Sequence, residues 1–150
     1  MRFEDLTAGQ QLEFGSICVS ESEIIDFANR YDPQPFHMDP AAARESRWGG
    51  IIASGFHTCG IAMRLVAEHV LRGSDSIGSP GMEYVRWLKP VRPGDCLRMQ
   101  VNVLSSSVST SGRVGAVRWQ WLLINQADEP VLDLIVTSLF ARNPTSQSGN

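Results

Sequence analysis

At 150 residues, with 43% hydrophobic and 19% charged side chains, the chain has enough apolar mass to bury one core and too little charge to stay disordered. A formal net charge of -3, with no basic cluster beyond Arg86, Lys89 and Arg92, excludes the footprint of a nucleic-acid or membrane-surface binder. The start, MRFEDLTAGQQLEF, lacks a signal-peptide pattern and no apolar run approaches the length of a membrane span, so the expectation is a single cytoplasmic domain over 1–150.

Three cysteines, Cys18, Cys59 and Cys96, are odd in number, far apart and in no C-x-x-C arrangement, which reads as three small, reduced core residues. Residues 10–19 (QQLEFGSICV) carry short alternation and predict a first strand. Ser20 precedes Glu23 at capping-box spacing, and Ile24, Ile25, Phe27, Ala28 and Tyr31 form an apolar stripe, so a helix over 21–31 follows. Pro33 and Pro35 force the residues before them into extended conformations, which ends that helix near Tyr31 and leaves Asp32 on a break. On one continuous helix Asp32 and His37 would face different ways; an irregular proline turn is what lets them converge.

Asp39 and Pro40 resemble an N-cap and first helical residue, with AAARES as a short helix ending before Trp48. After Gly49 and Gly50, the residues from Ser54 to Arg72 predict a long helix closed by Gly73, a rod of roughly 28 Å. Its first two turns carry almost no charge, the mark of a helix wrapped by other elements. Residues 81–89, 95–104, 113–125 and 130–142 are strand-like and supply the wrapping, with SSSVSTSG read as a mobile hairpin loop and 143–150 as a frayed tail. The pieces make an α+β fold: a strand, a helix, then four antiparallel strands curling around it. The outer face of that sheet carries Trp119 and Trp121 on this reading, which predicts a homodimer.

The run D-P-Q-P-F-H at 32–37, followed by I-A-S-G-F at 52–56 and RWLKPVRPGD at 86–95, resembles the MaoC-like dehydratases and R-specific enoyl-CoA hydratases, whose pattern is approximately D-x-N-P-x-H and then A-H-G-M. The resemblance covers nearly all of residues 5–142 and implies a hot-dog fold, a curved antiparallel sheet around a central helix, usually as a homodimer or a dimer of dimers. It makes Asp32 and His37 the catalytic pair and Gly55 the backbone donor to the thioester carbonyl. Gln34 stands where the family has Asn, and Ser54 where it has His, which bears on substrate choice more than on reaction type.

Hydration of an α,β-unsaturated thioester needs a base for water at C3, an acid at C2 and a donor for the enolate-like oxygen. An acid, an imidazole and a helix start with free N–H groups at Gly55 supply all three. The expected substrate is an acyl thioester of coenzyme A or acyl carrier protein, with no separate cofactor and no metal. Gln34 and Ser54 border the substrate; Ser54 either caps the central helix or orients Asp32. Arg86, Lys89 and Arg92 hold the phosphates of coenzyme A or are ordinary solvated charges. His57 reads as a core imidazole bonded to a backbone carbonyl, and His69 as structural or solvated. Two alternatives share the fold: a thioesterase, whose usual carboxylate on the central helix is missing from 54–67, and a non-catalytic binding module, which Asp32 and His37 disfavour.

Overall fold

The computed structural model describes residues 1–143. The segment 144–150 of the expected tail lies outside the described residues.

Caps set the first half of the chain. Strand β1 (Gln11–Cys18) leads into α1 (Glu21–Tyr31), where the Ser20 side chain accepts from the Glu23 N–H and Glu23 returns the bond to the Ser20 backbone. The helix stops at Asp32, as Pro33 requires, but the chain does not simply run extended from there. With Pro35 pre-set for a first helical position, one extra helical turn forms, α2 (Pro35–Met38). Asp39 then caps α3 (Pro40–Glu45) by accepting from the N–H groups of Ala41 and Ala42. The chain leaves α3 through Ile51, Ile52, Ala53 and Ser54, all buried, and enters the central helix α4 (Gly55–Val66). Beyond Val66 the turns widen to a π-wound segment, Ala67–Leu71, and Gly73 with φ 76° ends it, so the expected rod is present with a loosened last turn.

Strands β2 (Ser76–Trp87), β3 (Cys96–Val108), β4 (Val114–Ile124) and β5 (Pro130–Ala141) complete one antiparallel sheet in the order β1-β3-β4-β5-β2. Two spans exceed the sequence reading. β2 begins at Ser76, and Ser105 to Val108 belong to β3, so only a short turn remains of the expected hairpin loop. β2 is an edge strand with its register broken at Ser76/Gly78, Gly78/Gly81 and Met82/Tyr84, which is how a strand containing SPG survives beside β5.

One face of the sheet packs on α4. Leu97, Met99, Val101, Trp119, Leu123, Leu132 and Phe140 share a core with Ile61, Ala62, Leu65 and Val66. Trp119 and Trp121 are 0% and 3% exposed and sit on this inner face, which corrects the expectation that they line the outer one. The outer face is polar: Asn102 and Asp133 both receive or give hydrogen bonds at Gln120, and Arg118 pairs with Glu83. Exposed apolar side chains collect instead on β2 and α4, at Ile77, Met82 and Trp87 and at Phe56 and Met63.

The cysteines differ from expectation in two respects: none is a buried core residue, Cys18 being exposed and Cys59 and Cys96 half-buried, and two of them are joined. Cys18 and Cys96 stand opposite each other across β1 and β3 and form a disulfide, leaving Cys59 as the free thiol among the described residues. Linear spacing could not reveal the pair, because strand register rather than sequence separation brings the two together. Among the described residues no helix is long and apolar enough to cross a membrane.

Leu65, 1% exposed on α4, faces the sheet core. Leu65→Ala is expected to lower the unfolding free energy by about 2–5 kcal/mol in urea titrations with an unchanged slope. A loss under about 1 kcal/mol would show that α4 is not the packing centre.

Candidate active site

Two broken helices and one buried strap build the site. Asp32 occupies the C-cap of α1, with its N–H bonded to the Ala28 carbonyl at 2.8 Å. His37 is the third residue of α2, 4% exposed. The proline turn between them does what a straight helix could not: Asp32 Oδ2 and His37 Nε2 lie 3.3 Å apart.

The other ring nitrogen fixes the imidazole. His37 Nδ1 lies 2.6 Å from the Ile52 carbonyl oxygen in a buried contact, and a carbonyl can only accept, so Nδ1 carries the proton. In the neutral ring Nε2 therefore presents a lone pair to Asp32. The Ile52 N–H donates to the Phe36 carbonyl and the Ala53 N–H to the Val91 carbonyl, which pins the strap between α2 and the residues after β2.

Asp32 is held as an anion. Burial alone would raise its pKa, but hydrogen bonds from Gln34 and Ser54, together with the nearby His37 ring, outweigh it and leave the carboxyl below its ordinary value. Gln34 Nε2 donates to Asp32 Oδ1 at 2.6 Å. Ser54, fully buried, is the cap of α4, its oxygen accepting from the Phe56 N–H at 3.3 Å, and its hydroxyl is near enough to Asp32 to help hold that carboxyl below its ordinary value.

A cavity of about 410 Å³ opens beside the pair, lined by Asp32, Gln34, His37, Gly55 and Trp87 among others. Gly55 is the first residue of α4, so its N–H is one of those the helix itself leaves without a partner. Trp87 is the residue the sequence reading missed. Its indole N–H donates to the Gly55 carbonyl at 2.9 Å, and a Cβ on Gly55 would stand 2.6 Å from Trp87 Nε1, so glycine is required by the ring packed on it. The only hint in the sequence was an aromatic at the end of a strand.

The cationic trio is dispersed. Lys89 lines the cavity but pairs with Glu129. Arg92 donates to the Trp48 carbonyl at 2.6 Å and so braces a cavity wall without lining it. Arg86 lies over the Tyr84 ring, 4.4 Å from its centroid, away from the cavity. His57 stacks on Phe27 at 4.8 Å, and its buried Nδ1 has no partner among the described residues, so the expected bond to a backbone carbonyl is not formed there. Burial pushes its pKa down, against the pull of Glu23. His69 is exposed and stacks on Phe14.

A five-stranded antiparallel sheet packed over a central helix, with an acid and an imidazole meeting at the helix start, defines the class. The family model for the MaoC like domain matches residues 4–120, and the chain belongs to that family. YdeM of Bacillus subtilis is 38% identical over 104 residues, covering 69% of this chain and 74% of that protein. The crystal structure of the MaoC-like dehydratase from Rhodospirillum rubrum is 38% identical, covers 94% of this chain and 97% of that one, and superposes with a TM-score of 0.84. The R-hydratase PhaJ1 from Pseudomonas aeruginosa, 23% identical with 94% and 89% covered, has a TM-score of 0.72 and shares the fold, the hot-dog fold.

Because the folded Asp32 pKa is depressed, its ionisation contributes stability above the ordinary carboxylate range, and that contribution is lost as pH falls through the folded value. Gln34→Leu removes one hydrogen bond to the anion, so the Asp32 carboxyl carbon is expected to titrate at higher pH than in the wild type by carbon NMR. An unchanged midpoint contradicts the role given to Gln34. Gly55→Ala is expected to displace Trp87, read as a shift in tryptophan emission with loss of stability; unchanged emission would mean that the helix start can yield without moving the ring.

Proposed function

We propose that the chain is a hydratase/dehydratase that interconverts trans-2-enoyl and 3-hydroxyacyl thioesters of coenzyme A or acyl carrier protein. The carrying observation is the 3.3 Å approach of Asp32 Oδ2 and His37 Nε2 with Nδ1 committed to the Ile52 carbonyl. A carboxylate and an imidazole lone pair facing each other are two acceptors, and the natural occupant of the space they border is a water donating one hydrogen to each.

As the water oxygen bonds to C3, the proton it releases passes to the Asp32–His37 pair. The same pair returns a proton to C2 on that face, so hydroxyl and hydrogen add on one side and no atom is left over. Negative charge building on the thioester oxygen is met by the Gly55 N–H and the positive end of α4. Loss of water runs the same steps in reverse. A MaoC-like dehydratase as a 38% identical relative supports the reaction class. Among the described residues Asp32 is the one carboxylate lining the cavity, and α4 carries no Asp or Glu, which weighs against the thioesterase alternative.

Lys89 and Arg92 at the cavity wall, and Arg86 beyond it, are the cations available to coenzyme A phosphates. The free edge of β2, with Ile77 and Met82 exposed, is the surface for a second copy of the chain, as a homodimer or a dimer of dimers. Thioester substrates of this kind place the protein in the cytoplasm.

Crotonyl-CoA is expected to lose its enoyl absorbance without release of free thiol, and Asp32→Asn or His37→Ala to reduce that rate by about 10²–10⁴-fold. Thiol release, or full activity in both variants, overturns the assignment. For the assembly, Ile77→Asp with Met82→Asp is expected to halve the mass in sedimentation equilibrium; an unchanged mass places the interface elsewhere.

A further inference from the structure

The start of α4 is held from outside the helix at two points, both by the end of β2 and the residues after it. Upstream, the Ala53 N–H donates to the Val91 carbonyl at 2.8 Å. Downstream, the Gly55 carbonyl accepts the Trp87 indole N–H at 2.9 Å. Between the two lies the Ser54–Gly55 peptide, whose N–H has no acceptor within the helix. The carbonyl of that peptide is taken by Thr58, through its N–H at 3.1 Å and its hydroxyl at 3.3 Å. One side of the peptide plane is thus tied into α4, and the aim of the N–H on the other side depends on how Gly55 sits.

Gly55 is where that frame would be loosest. Glycine has more backbone freedom than any other residue, and in the first turn no helix bond on its own N–H steadies it. Trp87 restricts it in two ways. A Cβ on Gly55 would lie 2.4 Å from Trp87 Cε2, so the ring rests on the Gly55 Cα, and the indole N–H fixes the direction of the carbonyl beyond that Cα. Trp87 is itself firmly mounted as the last residue of β2, opposite Leu132 of β5, with the following Leu88 N–H bonded to the Val131 carbonyl at 2.9 Å. At 49% exposure the ring gains only part of what full burial would give, so the contact with Gly55 does more than the core to set its place.

We propose that Trp87 is a positioning residue for the reaction: it holds Gly55 so that the Gly55 N–H is aimed at the thioester oxygen, and it acts through that donor without carrying a proton itself. The inference rests on the hydratase reading of the site. A donor stabilises developing charge best when it is aimed before the charge appears, and one free to swing loses much of that advantage. The same requirement accounts for the pairing of these two residue types. Glycine lets the ring approach this closely, and the ring removes the freedom that glycine brings.

The test reads the bound carbonyl directly. The full chain is mixed with saturated, unreactive butyryl-CoA labelled with heavy carbon at the thioester carbonyl, and the carbonyl stretch is followed by isotope-edited infrared difference spectroscopy, beside kcat and KM for crotonyl-CoA hydration. In the wild type the stretch is expected to fall in frequency on binding. Trp87→Phe keeps a ring over Gly55 and removes the N–H; it is expected to lose about half of that fall and to lower kcat about tenfold, with KM changed less than about twofold. Leu65→Ala, which weakens the core ten residues along α4, is expected to keep the full fall and the wild-type kcat, so that loss of stability alone does not imitate the effect. Trp87→Leu carries the same expectation and decides the question where Trp87→Phe does not fold. A full fall with wild-type kcat in the Trp87 variant, an equal loss in Leu65→Ala, or a loss confined to KM overturns the inference. Absent hydration of crotonyl-CoA beside a fall that the Trp87 variant diminishes refutes the proposed reaction and leaves the positioning role standing. Hydration beside a fall that the variant leaves whole refutes the positioning role alone, and no fall in the wild type refutes both.

Discussion

The buried bond between His37 Nδ1 and the Ile52 carbonyl is the contact on which the site depends. It selects one tautomer, so Nε2 is left to work against Asp32 rather than to be stabilised by the backbone. Beside the Ile52 N–H bond to the Phe36 carbonyl, it is the second tie between the single turn α2 and the strap that leads into α4. Because that strap is itself bonded to the Phe36 and Val91 backbones, the imidazole, the helix start and the residues after β2 form one connected unit. Losing the ring would unpair a buried carbonyl as well as remove a proton carrier, which makes His37 a structural residue and a chemical one together.

Much of this was legible in the sequence because the determinants are local. Ser20 and Asp39 announce their caps through neighbours two or three residues away, and both cap as read. Pro33 breaks α1 at Asp32, and the convergence of Asp32 with His37 follows from that break. What the sequence concealed depends on distance in the chain. Trp87 matters only because β2 brings it onto Gly55, thirty-two residues away in sequence. Cys18 and Cys96, seventy-eight apart, pair because β1 and β3 share a register. The start of β2 was hidden for another reason: its glycines and Pro80 read as a loop, and only an edge strand with three register breaks can absorb them. Trp119 and Trp121 were placed on the wrong face because alternation reveals two faces without saying which is inner.

The departures from the family pattern at Gln34 and Ser54 keep a shared logic. Gln34 donates to the Asp32 carboxylate from the exposed side and Ser54 favours its anion from the buried side, and together with the His37 ring they outweigh the effect of burial on that group. The carboxylate stays ionised although it sits beside an apolar cavity.

The order of the strands bears on how the molecule assembles. β3, β4 and β5 are joined by short turns and pair with their neighbours in sequence, whereas β1 and β2 occupy the two outer positions and close much longer stretches of chain. Closing long loops costs more entropy and comes later, so the central meander offers the earliest stable surface and the segment slung between the outer strands is the last to settle. That segment carries Asp32, His37 and Gly55. Chemistry is thus confined to the stretch of chain that completes the molecule, and amide protection in 32–55 weaker than in β3 to β5 is the trace such an assembly order would leave.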